Sequence, residues 1–283
     1  MLMITIIAQK VPIVLLHGFS QTVKDIEPMA EILRQALPDT YIKCCEIGNG
    51  DDSTVIMTVK SQIHELSKCI QNDPQLANGF VGLGYSNGGY IMRGYLELYN
   101  DKKVPMKRLV TLSSPLGGFF CGKHSPCYTF GELPFFAYLC TELEYTTFVQ
   151  DVIGPSNYWR DPYNIDKYLE GALSLPELDN LRNFQEQKRR NFMSVDKIVL
   201  FGSPKDGAIS PWQSAWFGTW EGDDRTVINM EERDVYKTDL FGLKTMHQQG
   251  KLIKIDSNLS HLEYYSDKKF LTEDLPQWID IDV

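Results

Sequence analysis

The feature that most constrains this chain is the turn Gly84-Tyr85-Ser86-Asn87-Gly88-Gly89, set between an apolar run at residues 79–83 and a helical pattern from Asn87 to Tyr99. A strand that becomes a helix within three residues needs a backbone few side chains tolerate, and the glycines leave room for it. G-x-S-x-G alone is a short and common pattern. Its strand-turn-helix setting makes it informative, because such an elbow presents the serine hydroxyl at its tip.

The same alternation runs along the chain. Val11–Leu16 is a continuous apolar run that stops at His17-Gly18, as expected of a parallel strand buried on both faces. From Lys24 to Leu37, Ile26, Met29, Ala30, Leu33 and Leu37 fall at helical spacing, and Pro38-Asp39 ends the pattern before a strand at 41–45. A helix is predicted over 55–70, and further strands over 108–112, 197–201 and 251–255. Strands and helices taking turns predict a mostly parallel sheet covered on both faces, an α/β protein, and the serine elbow after one of its strands is the feature that points to the α/β-hydrolase fold.

Between Ser113 and Asp196 the alternation fails. That interval is rich in aromatic residues and broken by glycine and proline, and it reads as a helical cap at about 113–195 inserted over the sheet edge. With no repeat period and no low-complexity linker, the 283 residues read as a single domain.

A net charge of -9 with dispersed Lys and Arg argues against a nucleic-acid partner. No apolar run approaches the roughly 18 residues of a membrane span, so no stable membrane insertion is expected. Met1–Ala8 is a short apolar stretch, readable as a first strand or as a short or clipped signal peptide. Cys121 and Cys127 bracket Gly-Lys-His-Ser-Pro and are a candidate loop disulfide, whereas Cys44, Cys45, Cys69 and Cys140 fit a buried thiol as well as a bond. No CxxC spacing points to a metal, and no cofactor is expected. The sequence does not express an oligomeric state.

A serine hydroxyl becomes nucleophilic when an imidazole takes its proton, and a carboxylate must hold that imidazole in the right tautomer. Both partners should follow Ser86 in the chain. His17 precedes it, His64 lies in a helical pattern, His124 in the cap and His247 in a polar turn, which leaves His261 just past the last predicted strand. Asp206 follows the strand ending at Phe201, where parallel sheets gather their active sites. Asp256, and Asp223 or Asp224 in a solvated loop, are competing acids. The oxyanion would be held by the backbone amides of Asn87 and of Phe19, the latter in the loop after the first strand. His17 reads as a structural residue of that loop. Phe119, Phe120, Phe135, Phe136 and Leu139 are candidate walls of an acyl groove or simply cap packing.

With these residues placed, the chain from Val11 almost to its end resembles the palmitoyl-protein thioesterase family. Ser86 in Gly-Tyr-Ser-Asn-Gly-Gly matches its nucleophile motif, which usually has Gln where Asn87 stands, and residues 157–162, Asn-Tyr-Trp-Arg-Asp-Pro, resemble a cap signature. Residues 112–115, 207–214 and 241–245 look most like the palmitoyl-protein thioesterase 2 branch, the lysosomal acyl-thioesterases. The resemblance puts the triad on Ser86, Asp206 and His261. It implies a fatty acyl thioester substrate of palmitoyl-protein or palmitoyl-CoA type, lysosomal or secreted delivery, and N-glycosylation. The one sequon, Asn258-Leu259-Ser260, lies so close to His261 that a glycan would crowd the site. An oxygen-ester lipase is the alternative enzyme, and a non-catalytic binding protein on the same fold the alternative from another class.

Overall fold

The apolar runs pair into one sheet. The structure, a computed structural model, describes residues 10–122, 124–125 and 143–282. Its strands are β1 (Ile13–Leu16), β2 (Ile42–Cys45), β3 (Phe80–Tyr85), β4 (Met106–Leu112), β5 (Ile198–Gly202), a small hairpin of β6 (Thr219–Glu221) and β7 (Asp223–Ile228), and β8 (Leu252–Asp256). Six form a parallel sheet in the order β2-β1-β3-β4-β5-β8, a mostly parallel sheet flanked by helices as the α/β-hydrolase fold requires.

Strand periodicity explains the two apolar layers. Val14 and Leu16 face one side and pack with Ile63, Leu66, Tyr90, Ile91 and Tyr95. Ile13 and Leu15 face the other, with Ile26, Met29, Leu33, Tyr264 and Leu271. Helices α3 (Val59–Gln71) and α4 (Asn87–Tyr99) therefore cover one face, and α1 (Val23–Ala36) with the C-terminal segment covers the other.

Two expectations change, and one open alternative closes. The helix expected over 55–70 is two, α2 (Ser53–Ile56) and α3, because the Thr58 hydroxyl accepts the Ser61 amide and starts a new helix there. Asp223 and Asp224 do not lie in a solvated loop: they begin β7, and Asp224 is buried, accepting the amides of His124 and Ser125 and the Tyr163 hydroxyl. Cys45 and Cys69 are bonded, tying β2 to α3. Cys127, Cys140, Met1–Ala8, Phe135, Phe136 and Leu139 lie outside the described residues.

Between β4 and β5 the described residues form short helices at Thr147–Val152, Ile165–Gly171, Leu175–Leu178 and Glu186–Phe192. The 157–162 segment fastens them. Asn157 accepts the Val59 amide at the start of α3, Trp159 packs on Phe119 and Phe120, and Arg160 bonds Thr219 and the Trp220 carbonyl in the hairpin.

Beneath them lies a charged knot. Arg93, on α4 and fully buried, bonds Glu97 (2.8 Å), Asp179 (2.7 Å) and the Leu116 carbonyl (3.0 Å), between the rings of Phe217 and Phe241. Arg233 takes the other oxygen of Asp179 at 2.7 Å. Neutralised in this way, the guanidinium can be buried, and it locks α4 against the residues after β4 and β5. Burial pushes the Glu97 carboxyl up to about 7 despite Arg93, and one of its oxygens has no partner among the described residues. Glu144 is also pushed up to about 7, by burial and then by Asp161.

A carboxyl whose pKa is raised by folding contributes stability that is complete below its unfolded value, near 4.5, and lost as pH rises through about 7. Thermal midpoints should therefore be higher at pH 5 than at pH 7.5. Glu97→Gln should shrink that difference, and scanning calorimetry at both pH values checks it. Replacing Cys45 and Cys69 by Ser opens a loop with a sequence separation of 24 and should cost about 3 kcal/mol in urea unfolding.

Candidate active site

Ser86 sits at the carboxyl end of β3, a strand paired on both edges, and α4 begins at the next residue. Its backbone is held at φ 53° and ψ -124°, a region costing a non-glycine residue roughly 1–3 kcal/mol. Packing enforces the turn. A Cβ on Gly84 would strike the Gly89 backbone and one on Gly88 the His17 carbonyl, so strand, helix and β1 loop approach as closely as the absence of side chains permits.

The loop after β5 delivers Asp206, and the loop after β8 delivers His261. They are joined through backbone as well, the His261 amide donating to the Asp206 carbonyl at 2.9 Å. His261 Nε2 lies 3.0 Å from Ser86 Oγ, and its Nδ1 lies 3.0 and 3.1 Å from the two carboxylate oxygens of Asp206. One Asp206 oxygen accepts the amides of Ala208 (2.9 Å) and Ile209 (2.6 Å). Nδ1–H facing the carboxylate leaves Nε2 to accept the serine proton. Ser86, Asp206 and His261 are each no more than 5% exposed, so water competes little with these bonds.

Of the competing acids, Asp256 is exposed and bonds the Asn258 amide, while Asp224 accepts the His124 amide. His17 is buried, with Nδ1 at 3.0 Å from the Gly18 carbonyl and Nε2 at 3.1 Å from Glu46, which fixes the loop carrying Phe19. Gly18 and Ser20 in that loop donate their amides to Gln21 and Thr54. Asn87 opens α4, whose first amides have no intrahelical acceptor, and its side chain bonds Gln62, itself tied to the carbonyls of Thr54 and Met57. Its carboxamide thus anchors the elbow to α3 while its amide stays at the helix N-terminus.

A cavity opens over Ser86, lined by Phe19, Pro115, Phe119, Pro155, Tyr158 and Ile209. Of the expected acyl walls, Phe119 is in it. Phe120 packs instead with Cys121 and Trp159. Sequence reasoning missed four further walls. Ile209 was within reach, since it falls three residues after Asp206, but Pro115, Pro155 and Tyr158 reach the cavity only through the fold of the segment between β4 and β5. It also missed Ser113, whose hydroxyl lies 3.2 Å from His261 Nδ1.

Two sequence relatives span almost the same length. Palmitoyl-protein thioesterase 3 of Dictyostelium discoideum is 30% identical over 265 residues, covering 93% of this chain and 89% of its own. Lysosomal thioesterase PPT2-B of Xenopus laevis is 32% identical over 252 residues, covering 85% and 82%. A solved structure assigned as an aryl esterase from Burkholderia cenocepacia superposes with a TM-score of 0.50 at 12% identity, covering 96% of this chain and 90% of its own, a likeness of fold alone. The family model for palmitoyl protein thioesterase matches residues 12–261. A match that starts just before β1 and ends on the histidine facing Ser86 takes in the sheet and all three of these residues, and on it the chain belongs to the palmitoyl protein thioesterase family.

Proposed function

We propose that this chain hydrolyses long-chain fatty acyl thioesters through an acyl-enzyme on Ser86. The observation that carries the reading is Ser86 Oγ placed 3.0 Å from His261 Nε2 on the floor of an apolar cavity. His261 Nε2 takes the hydroxyl proton as Oγ attacks the acyl carbonyl carbon, and the backbone amides of Phe19 and Asn87 hold the oxyanion. The carbon–sulfur bond then breaks, and the departing sulfur receives the proton from Nε2. Water repeats the sequence on the acyl-enzyme and releases the fatty acid. Asp206 holds His261 in the productive tautomer and offsets the imidazolium charge.

Thioester is preferred over oxygen ester on the strength of the family, since the triad itself does not distinguish the leaving group. Preference for acyl-CoA over S-acylated protein rests on the match of residues 207–214 to the lysosomal branch. Action in the lysosome or outside the cell fits relatives such as the lysosomal thioesterase PPT2 of Homo sapiens, 26% identical over 281 residues, and the Cys45–Cys69 bond. We read residues 113–195 as a cap within one hydrolase domain. Among the described residues no helix is long and apolar enough to cross a membrane.

A fluorophosphonate should label Ser86, and Ser86→Ala should abolish the adduct and lower kcat at least about 10⁴-fold. Absence of an adduct from the wild-type protein would favour a binding protein. Matched esters, thioesters, palmitoyl-CoA and an S-palmitoylated peptide rank the leaving groups, and peptide turnover equal to that of palmitoyl-CoA would remove the acyl-CoA preference. Phe119→Ala should lower kcat/KM for palmitoyl over butyryl thioesters roughly tenfold, measured across an acyl-length series.

A further inference from the structure

Ser113 is fully buried at the end of β4, between the strand that carries Ser86 and the strand that leads to Asp206. Its amide donates to the Phe201 carbonyl at 2.9 Å, extending the β4–β5 ladder by one residue, yet its φ is 48°. Glycine would occupy that backbone without strain, so a serine there calls for a reason. The reason is in its hydroxyl, which donates to Asp206 Oδ2 and stands 3.2 Å from His261 Nδ1.

We infer that Ser113 is a positioning residue for this triad, orienting Asp206 and dispersing its charge so that His261 Nδ1–H is held toward the acid. The inference rests on the catalytic reading given above. His261 Nδ1 stands near both Asp206 oxygens, at 3.1 Å from Oδ1 and 3.0 Å from Oδ2, and the other donors divide between the two. Asp206 Oδ1 accepts the amides of Ala208 and Ile209, whereas Oδ2 has Ser113 as its only donor besides His261 among the described residues. Two backbone amides on one oxygen still let the carboxylate tilt about that edge. A donor on the second oxygen fixes its plane.

The hydroxyl also spreads the negative charge. A carboxylate with fewer donors, in a buried site, pulls harder on the imidazolium formed as Ser86 attacks. The proton it holds is then released less readily to the leaving group. Ser113 itself is not the nucleophile: its proton is committed to Asp206, it faces Nδ1 rather than Nε2, and it does not line the cavity.

Two variants separate hydroxyl from backbone. Ser113→Ala keeps the strained φ without the hydroxyl, and Ser113→Gly relieves the strain and also lacks it. Rates are normalised to sites titrated by fluorophosphonate, so only folded, labelled protein is counted. Both variants should lose about tenfold in kcat with KM within about twofold of wild type, as for loss of one hydrogen bond to a charged group. Both should move the acid limb of the kcat/KM profile to higher pH. A normalised kcat and pH profile like wild type in either variant would overturn the inference, even if the thermal midpoint fell. Failure of the underlying reading looks different, since wild-type Ser86 would then take no label at all.

Discussion

The rest of the structure depends on one strained backbone, the turn at Ser86. A left-handed φ at a non-glycine residue persists only where its surroundings over-determine it. Here β3 is paired with β1 and β4 along its length, and the Ser86 amide itself donates to the Leu112 carbonyl at 2.8 Å. On the far side α4 is pinned by Arg93, which cannot shift without exposing Asp179, Glu97 and the Leu116 carbonyl to an apolar interior. Strand and helix are therefore both fixed, and the turn between them has no freedom to relax.

That rigidity explains where the other two residues come from. In a parallel sheet every strand delivers its carboxyl end to the same edge, so loops after β5 and β8 reach the elbow without any long excursion. The order β3-β4-β5-β8 places acid and base progressively farther along that edge, and the Asp206–His261 backbone bond joins the two loops to each other. The segment between β4 and β5 meets the same edge. Tyr158 packs on Tyr90 of α4 at 4.7 Å and also lines the cavity, so α4 and the wall of the cavity over Ser86 share one aromatic contact.

Much of this was legible because it is repetitive. Apolar runs of four to six residues with glycine or proline at their ends announce buried parallel strands, and their places just past two of those strands made Asp206 and His261 the candidate acid and base. What was not legible depends on single polar atoms. The break between α2 and α3 hangs on the Thr58 hydroxyl, and Asp224 looks like a loop aspartate until the amides it accepts are seen. No periodicity marks such residues, since each is set by a hydrogen-bond partner, three positions away for Thr58 and a hundred for Asp224 with His124. The Asn157-Tyr158-Trp159-Arg160-Asp161-Pro162 segment is similar. It is recognisable as a family pattern, but its work of fastening helices, hairpin and pocket wall together is visible only in three dimensions.

Ser86 and Ser113 bring the two kinds of information together. They end adjacent central strands, both adopt a positive φ, and both lie within 3.2 Å of the same imidazole. Sequence distinguishes them only by the glycines around the first. The structure distinguishes them by nitrogen: Nε2 faces a hydroxyl open to the cavity, and Nδ1 faces one whose proton is already given to Asp206. Since one ring nitrogen must donate for the other to accept, a hydroxyl on the donor side can steady the acid but cannot be activated by the base. A serine's chemistry here is thus decided by which side of the histidine it occupies, and β3 rather than β4 leads to the side where Nε2 can take a proton.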